Sequence, residues 1–198
     1  MNNEYIRYSY ETLECFCHAA FTALGFDMPD GDYTAAYKTV KTILKYEYLW
    51  AEIRAKGGAY GAGHTHRRGF AAFSSYRDPN PARSFDKYAE AADFLDSFAD
   101  SVGEGELEKY VIGAFAEIDG VSSARLSFDL ATVRHLRGIG YEKVAYQRKE
   151  TLETARDDIR RYAELLRREL AHAVSCTVAS HDILEGMGER IERINKIV

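Results

Sequence analysis

The sequence predicts an α+β fold, a two-layer sandwich in which helices cover one face of a mainly antiparallel sheet. Three observations support this. The first half contains short apolar or alternating segments between glycine and proline turns, the second half keeps a helical period, and one alternating segment returns near the end. Because 198 residues suffice for one well-buried core and are few for two, residues 1–198 are expected to form a single domain.

The first strand is assigned to residues 15–24, where apolar or small side chains lie on both faces, as in a covered sheet. Turn chemistry follows at residues 27–31, which include Pro29. A long helix is then predicted over residues 33–54, with an inward apolar stripe that continues through Trp50.

A glycine pair, Gly57-Gly58, ends this helix and leads into a hairpin whose second strand covers residues 70–76. So many glycines and alanines in the first strand indicate that something passes close to its surface. Strand alternation predicts that Tyr60, His64 and His66 share one face. The next helix has Pro79 or Pro81 in its first turn and Asp78 or Asn80 as its cap.

Helices fill most of the second half. Residues 101–104 and 154–157 have the spacing of capping boxes that open two of them, and residues 123–137 form another. Residues 173–179 alternate, with Val174, Cys176 and Val178 on one face, which is typical of a half-buried strand. A last helix, capped by Ser180, is predicted to carry Ile183, Met187, Ile191 and Ile194.

Composition excludes several classes of protein. A formal charge of −5 and an isoelectric point near 5.7 give no electrostatic reason to expect nucleic acid as a partner. No segment is long and apolar enough to span a bilayer, and the amino terminus lacks a secretory apolar region. Three cysteines, Cys15, Cys17 and Cys176, leave an odd thiol, which favours reduced core thiols in a cytoplasmic compartment. Strand alternation predicts that Cys176 is a buried structural thiol.

Two chemically capable residues flank the glycine break. Arg54 is a permanent cation and Tyr60 is a phenol donor, so a rigid frame could present both at one spot. The alternative interpretation is a surface arginine beside a core tyrosine. The glycines do not form a phosphate cradle, since the order is helix, glycines, strand, whereas nucleotide sites need a helix after the glycines.

The histidines give little support for a metal site. His64 and His66 form an HxH pair, but neither a nearby carboxylate at suitable spacing nor a CxxC supplies further ligands. No metal is therefore assigned to this chain. The sequence contains no HxxEH or HExxH motif around any of its six histidines: His18, His64, His66, His135, His172 and His181.

The segments YLWAEIR (48–54), KGGAYGAG (56–63) and SYRDPN (75–80) resemble the C-terminal domain of pitrilysin/insulinase-type zinc metallopeptidases, specifically the presequence-protease subfamily. Weaker similarity extends from about Phe16 to the end. The resemblance implies the LuxS/processing-peptidase-like metallohydrolase half-domain fold. It also implies that this is an excised fragment, with zinc held by an HxxEH helix in an N-terminal half absent from the chain.

By motif and spacing, Arg54 and Tyr60 fall on the catalytic pair that this family contributes from its C-terminal half. The implied function is degradation of short unstructured peptides in a chamber of which this chain forms one wall. Peptide is expected to contact the exposed sheet face at Gly58, Ala59 and His64, by strand addition. The fragment alone should be inactive, and any homodimer it forms should be incidental.

A second hypothesis belongs to another class, a catalytically inactive peptidase-like scaffold or partner-binding domain. Retention of both Arg54 and Tyr60 speaks against it. An HxxEH motif upstream in the same reading frame would favour the enzyme, and its loss would favour the scaffold.

Overall fold

The computed structural model describes residues 11–14, 19–29, 31–67, 69–119, 123–191 and 193–196. The strands in these ranges form one sheet: β1 (Glu11–Glu14), β2 (Ala20–Met28), β3 (Gly61–Arg67), β4 (Gly69–Asp78), β5 (Val174–Ala179) and β6 (Arg193–Lys196). The α-helices are α1 (Tyr37–Ile43), α2 (Pro81–Ala89), α3 (Ala91–Ser101), α4 (Glu104–Asp119), α5 (Ala124–Leu136), α6 (Tyr141–Leu152), α7 (Arg156–Leu170) and α8 (His181–Gly186). A π-helical segment, Leu44–Ala55, continues α1, and a 3₁₀ turn, Gly188–Arg190, follows α8.

The sheet has the order β3-β4-β2-β5-β1-β6. The four strands from β3 to β5 pair antiparallel, whereas β1 runs parallel to both β5 and β6. The predicted α+β class with a mainly antiparallel sheet is therefore confirmed. The prediction missed β1 and wrongly extended the last helix over β6. The strand predicted at residues 15–24 is observed as β2, which begins at Ala20 and ends at Met28, inside the turn predicted at residues 27–31. Residues 15–18 lie outside the described ranges.

Helices cover one face of the sheet, as burial along β2 shows. Ala20, Thr22, Phe26 and Met28 are buried, whereas Phe21 on the other face is exposed. The main apolar cluster joins the inner strand residues to α1 and to helices α3 and α7. Each fully buried Leu or Ile of this kind contributes roughly 1.5–3 kcal/mol to folding. None of the helices in the described ranges is long and apolar enough to cross a membrane.

The π-helical segment changes which side chains point inward. Its hydrogen bonds span five residues, as when the N–H of Lys56 donates to the carbonyl of Ala51 (3.0 Å). Buried residues therefore recur at spacings of four and five, with Tyr48 and Leu49 both inward. The prediction that Trp50 continues the inward stripe is wrong, because the wider winding turns it outward and leaves it 53% exposed.

Strand β5 is observed where it was predicted, with its faces exchanged. Ser175, Thr177 and Ala179 lie buried under the helices, and Cys176 lies half-buried on the open face. Small polar side chains can face inward here because this part of the covered face is hydrogen-bonded, as in the pair between Thr22 and Ser75 (2.6 Å). The interpretation of Cys176 as a buried core thiol is therefore wrong.

Hydrogen bonds between side chains and the backbone determine where helices α2 and α7 begin. Asn80 caps α2 through its side chain, which accepts from the N–H of Arg83 (3.2 Å), and Pro81 is the first helical residue. Both predicted capping boxes are wrong. Ser101 instead belongs to the last turn of α3, and α7 begins one residue late, with the N–H of Ala155 donating to Asp158 (2.9 Å).

Candidate functional site

The end of the π-helical segment fixes the position of the site. The N–H of Gly58 donates to the carbonyl of Arg54 (3.0 Å), and the N–H of Ala59 donates to that of Ile53 (3.1 Å). Gly58 has φ +82°, a conformation that glycine adopts without a steric cost. A Cβ on Gly57 would lie 2.5 Å from the carbonyl oxygen of Ile53, so this turn has no room for a side chain.

Arg54 and Tyr60 emerge side by side from this turn. The guanidinium carbon of Arg54 lies 5.9 Å from the centre of the Tyr60 ring, within cation–π range. Arg54 is exposed, and Tyr60 is 62% exposed. The structure therefore brings together the two residues that the sequence singled out, with both side chains reaching solvent.

An aromatic row extends from Tyr60 across the open face of the sheet. Its ring meets Tyr76 edge-on, with centroids 5.6 Å apart and planes at 80°, and Tyr76 in turn contacts Phe21 (5.0 Å). Tyr76 pairs with Phe21 on β2 and with Gly61 on β3, so the row follows the strand register. Edge-to-face contacts of this kind stabilise ring orientation.

The carboxylate of Glu52 is already engaged in ion pairs. Glu52 lies two residues before Arg54 and accepts from Lys56 (2.5 Å) and from Arg83 (3.0 Å). The hydrogen bond from Lys56 holds the pKa of the Glu52 carboxyl below its ordinary value. Arg83 also donates to the backbone carbonyl of Glu52, which fastens α2 to the end of the π-helical segment. Glu52 thus anchors the turn.

A shallow floor of small side chains lies beyond the aromatic row. Gly63, Ser74, Ala23 and Cys176 stand side by side on β3, β4, β2 and β5. Small side chains leave the backbone accessible, so an extended peptide could approach the sheet closely here.

Two of the three predicted substrate contacts are placed differently from the prediction. Gly58 is exposed next to Tyr60, but the Ala59 side chain is 3% exposed and His64 is 3% exposed. The prediction that His64 shares an exposed face with Tyr60 is wrong. Tyr60 precedes β3, and its N–H donates to the carbonyl of Arg77 (3.3 Å), so strand alternation does not apply to it.

His64 is a core residue on the helix-covered face. Its Nδ1–H donates to the carbonyl of Ala72 (3.0 Å), which leaves Nε2 to accept from the Tyr37 hydroxyl. Its ring stacks on Phe73 (4.3 Å). Burial lowers the pKa of His64 to about 3, so the imidazole is neutral at physiological pH. Both nitrogens serve internal contacts.

The HxH pair does not form a metal site in this structure. His66 stacks on Tyr33, with ring centres 4.3 Å apart and planes at 4°, on the same covered side as His64. Within the described ranges, no three His, Cys, Asp or Glu side chains are grouped closely enough to hold a metal ion. The part of the chain that the structure describes therefore offers no zinc site of its own.

Sequence reasoning missed Arg77, whose guanidinium also lies against the Tyr60 ring. Its guanidinium carbon is 5.8 Å from the Tyr60 ring centre and 5.7 Å from that of Tyr76. The only signal was its place inside the SYRDPN segment.

Comparison with solved structures defines the class of fold. The structure superposes on pitrilysin with a TM-score of 0.59 and 11% identity, over 96% of this chain and 22% of that one. It matches a Helicobacter pylori protease with a TM-score of 0.62 and 16% identity, over 87% of this chain and 45% of that one. An M16 peptidase inactive domain from Pseudomonas fluorescens matches with a TM-score of 0.62 and 14% identity, over 87% of this chain and 43% of that one. The fold is that of an M16 (pitrilysin-type) peptidase half-domain.

Sequence comparison narrows the class to a family. The sequence model of the PreP C-terminal domain matches residues 24–180, and this chain belongs to that family. Protein HypA of Clostridium perfringens is 28% identical over 167 residues, which is 84% of this chain and 17% of the relative. The mitochondrial presequence protease of Aspergillus fumigatus is 34% identical over 134 residues, which is 66% of this chain and 12% of the relative. The chain thus spans less than a fifth of these relatives.

Proposed function

We propose that this chain forms one wall of the peptide chamber of a zinc metalloendopeptidase that degrades short unstructured peptides. In this proposal the N-terminal half of the same polypeptide holds the zinc and the general base. This chain supplies Arg54 and Tyr60. The observation that carries the proposal is their proximity: the guanidinium carbon of Arg54 lies 5.9 Å from the centre of the exposed Tyr60 ring.

The chemistry of peptide hydrolysis explains why such a pair is useful. When water adds to a peptide carbonyl, the carbonyl oxygen gains negative charge. Preorganised donors aimed at that oxygen supply a large share of the rate enhancement. The Tyr60 hydroxyl donates a hydrogen bond in its neutral form, and the Arg54 guanidinium keeps its charge at any working pH.

Placing the donors on a separate half links catalysis to closure of the chamber. The pair meets the substrate only when the two halves come together, which excludes bulk water and completes the site in one motion. The floor of small residues beside the aromatic row would then support an extended peptide, with Gly58 at its edge. The similarity to a mitochondrial presequence protease agrees with a peptidase role.

The test is Tyr60→Phe in the full-length protein. Losing one donor of this kind should lower turnover of an unstructured peptide by roughly 100- to 1,000-fold, with the melting temperature unchanged. Tyr76→Phe is the matched control, because it removes a hydroxyl from the neighbouring ring on the same face. Equal turnover in the Tyr60→Phe variant and the wild type would rule out the assignment.

A second candidate, a catalytically inactive scaffold, is favoured by one observation: one of the similar folds is that of an M16 peptidase inactive domain. The two candidates separate on the polypeptide upstream of this chain. An HxxEH motif there, together with measurable peptide cleavage, supports the enzyme. Its absence, with no cleavage by the full-length protein, supports the scaffold.

A further inference from the structure

Arg77 is the extra residue of a β-bulge at the end of β4. In the pairing of β4 with β2, Tyr76 stands opposite Phe21 and Asp78 stands opposite Ala20, so Arg77 has no opposite residue on β2. Its φ is +49°, in the left-handed region that residues other than glycine seldom adopt. Bulges bend a strand and re-aim its side chains, and they are common beside active sites.

A buried carboxylate holds the bulge in place. Asp78 is 1% exposed and accepts from the Ser75 hydroxyl (2.6 Å), the Ser84 hydroxyl (2.5 Å) and the N–H of Asn80 (2.9 Å). These bonds fix position 78 toward the helices. Tyr76, two positions earlier, points to the open face. In a regular strand residues 76 and 78 would share a face, so these opposite directions require one extra residue between them. Arg77 is that residue and takes the left-handed conformation.

The bulge places both the backbone and the side chain of Arg77 against Tyr60. The carbonyl of Arg77 accepts the N–H of Tyr60 (3.3 Å), which ties the residue before β3 to the end of β4. Its guanidinium lies 5.8 Å from the Tyr60 ring centre, while that of Arg54 lies 5.9 Å from it. With Tyr76 at its edge, the Tyr60 ring has three defined neighbours although it is largely exposed.

We propose that Arg77 is a positioning residue for Tyr60: the bulge that bears it fixes the Tyr60 backbone, and its guanidinium fixes the orientation of the phenol. An exposed tyrosine would otherwise sample several side-chain rotamers. A donor to a developing charge must be held close to its productive geometry before the reaction occurs. The inference rests on the proposed function, because it gives the ordered phenol a catalytic purpose.

The first experiment is Arg77→Asn in the full-length protein. Asparagine tolerates the left-handed conformation and so keeps the bulge, while the guanidinium is lost. We expect kcat for a neutral unstructured peptide to fall roughly 10- to 100-fold with little change in KM, since misplacing a catalytic group by about 1 Å can cost this much. Arg77→Lys, which keeps a cation over the ring, should recover part of the loss.

A double-mutant cycle tells positioning from direct action on the substrate. If Arg77 acts through the Tyr60 hydroxyl, Arg77→Asn should change kcat less than about two-fold in a Tyr60→Phe background. An equal loss in both backgrounds would overturn the proposal, as would an unchanged kcat in the single variant. If Tyr60→Phe alone has no effect, the proposed function fails as well. If kcat falls strongly in the Tyr60→Phe variant but not in the Arg77→Asn variant, only this inference is refuted and the proposed function stands.

A second readout does not depend on turnover. With 3-fluorotyrosine at position 60 of the full-length protein, Arg77→Asn should change the fluorine NMR shift and line shape of the phenol. The matched control is Arg125→Asn on α5, where the arginine side chain is 92% exposed. Identical spectra for wild type and Arg77→Asn would show that the guanidinium does not order the ring.

Discussion

His64 and Tyr60 are only four positions apart in the sequence, but they lie on opposite faces of the sheet and in opposite environments. His64 lies on the helix-covered face, where both ring nitrogens serve internal contacts and its neighbours are Tyr37 and Phe73. Tyr60 lies on the open face, where its neighbours are two guanidinium groups and an aromatic edge. The covered residue stabilises the fold, and the exposed one is available for chemistry.

The difference shows where strand alternation stops being a guide. Extended through Tyr60, the period of two places both residues on one face. The strand begins only at Gly61, and the chain before it follows the helix turn at Gly58 and the bulge at Arg77. Positions at an element boundary take their direction from turn geometry.

The largest effect on stability is expected for His64→Ala. The change removes the donor to Ala72, leaves the Tyr37 hydroxyl without its acceptor and opens a cavity beside Phe73, so it should lower the free energy of unfolding by about 3 kcal/mol. Tyr60→Ala should change it by no more than about 0.5 kcal/mol. Urea unfolding of the two variants followed by circular dichroism measures both, and equal losses would break the contrast between the faces.

Sequence reasoning recovered the fold class and most helices because amphipathic periods survive in them. The burial of Leu107 on α4 and of Tyr162 on α7 agrees with that period. It misread Trp50 because a π-helix has no sequence signature that a 3.6-residue period reveals. It missed β1 and β6, four residues each, which take part in the sheet through pairing with distant strands.

The residues of the candidate site were likewise predicted only in part. Arg54 and Tyr60 were found through a local motif around two glycines. Arg77 could not be assigned from the sequence, because its position depends on tertiary features. It is the bulge residue that has no partner on β2, and the buried carboxylate of Asp78 holds that bulge in place. His64 was misplaced because a histidine on a small-residue strand resembles a surface residue, whereas its burial depends on Tyr37 from another element.

A pH dependence of intermediate size should arise on the covered face. His64 has a pKa of about 3 when folded and roughly 6.5 when unfolded. Burial is the main cause, and the neighbouring His66 adds to it. Between these values the unfolded chain binds a proton that the folded chain does not. The stability from this residue is therefore complete above pH 6.5 and is lost by roughly 1.4 kcal/mol per unit as pH falls.

His64→Gln isolates this contribution. Glutamine can donate to Ala72 and accept from Tyr37, and it does not titrate. Between pH 6.5 and 5, the wild type should lose roughly 2 kcal/mol more than the variant in urea unfolding. Parallel pH profiles would show that His64 is protonated in the folded chain and that the covered face is wetter than its packing indicates.

The smallest effect is expected for Gly25→Ala on the open face. An added Cβ would come within 2.6 Å of the Phe70 ring, but it meets the far end of a side chain that is 45% exposed and can swing aside. The free energy of unfolding should stay within about 0.5 kcal/mol of wild type. Gly57→Ala is the matched comparison, since its Cβ would come within 2.5 Å of the backbone oxygen of Ile53, which cannot move alone. That variant should lose roughly 1–3 kcal/mol. Similar losses for both glycines would mean that the open face at Gly25 is as tightly constrained as the turn at Gly57.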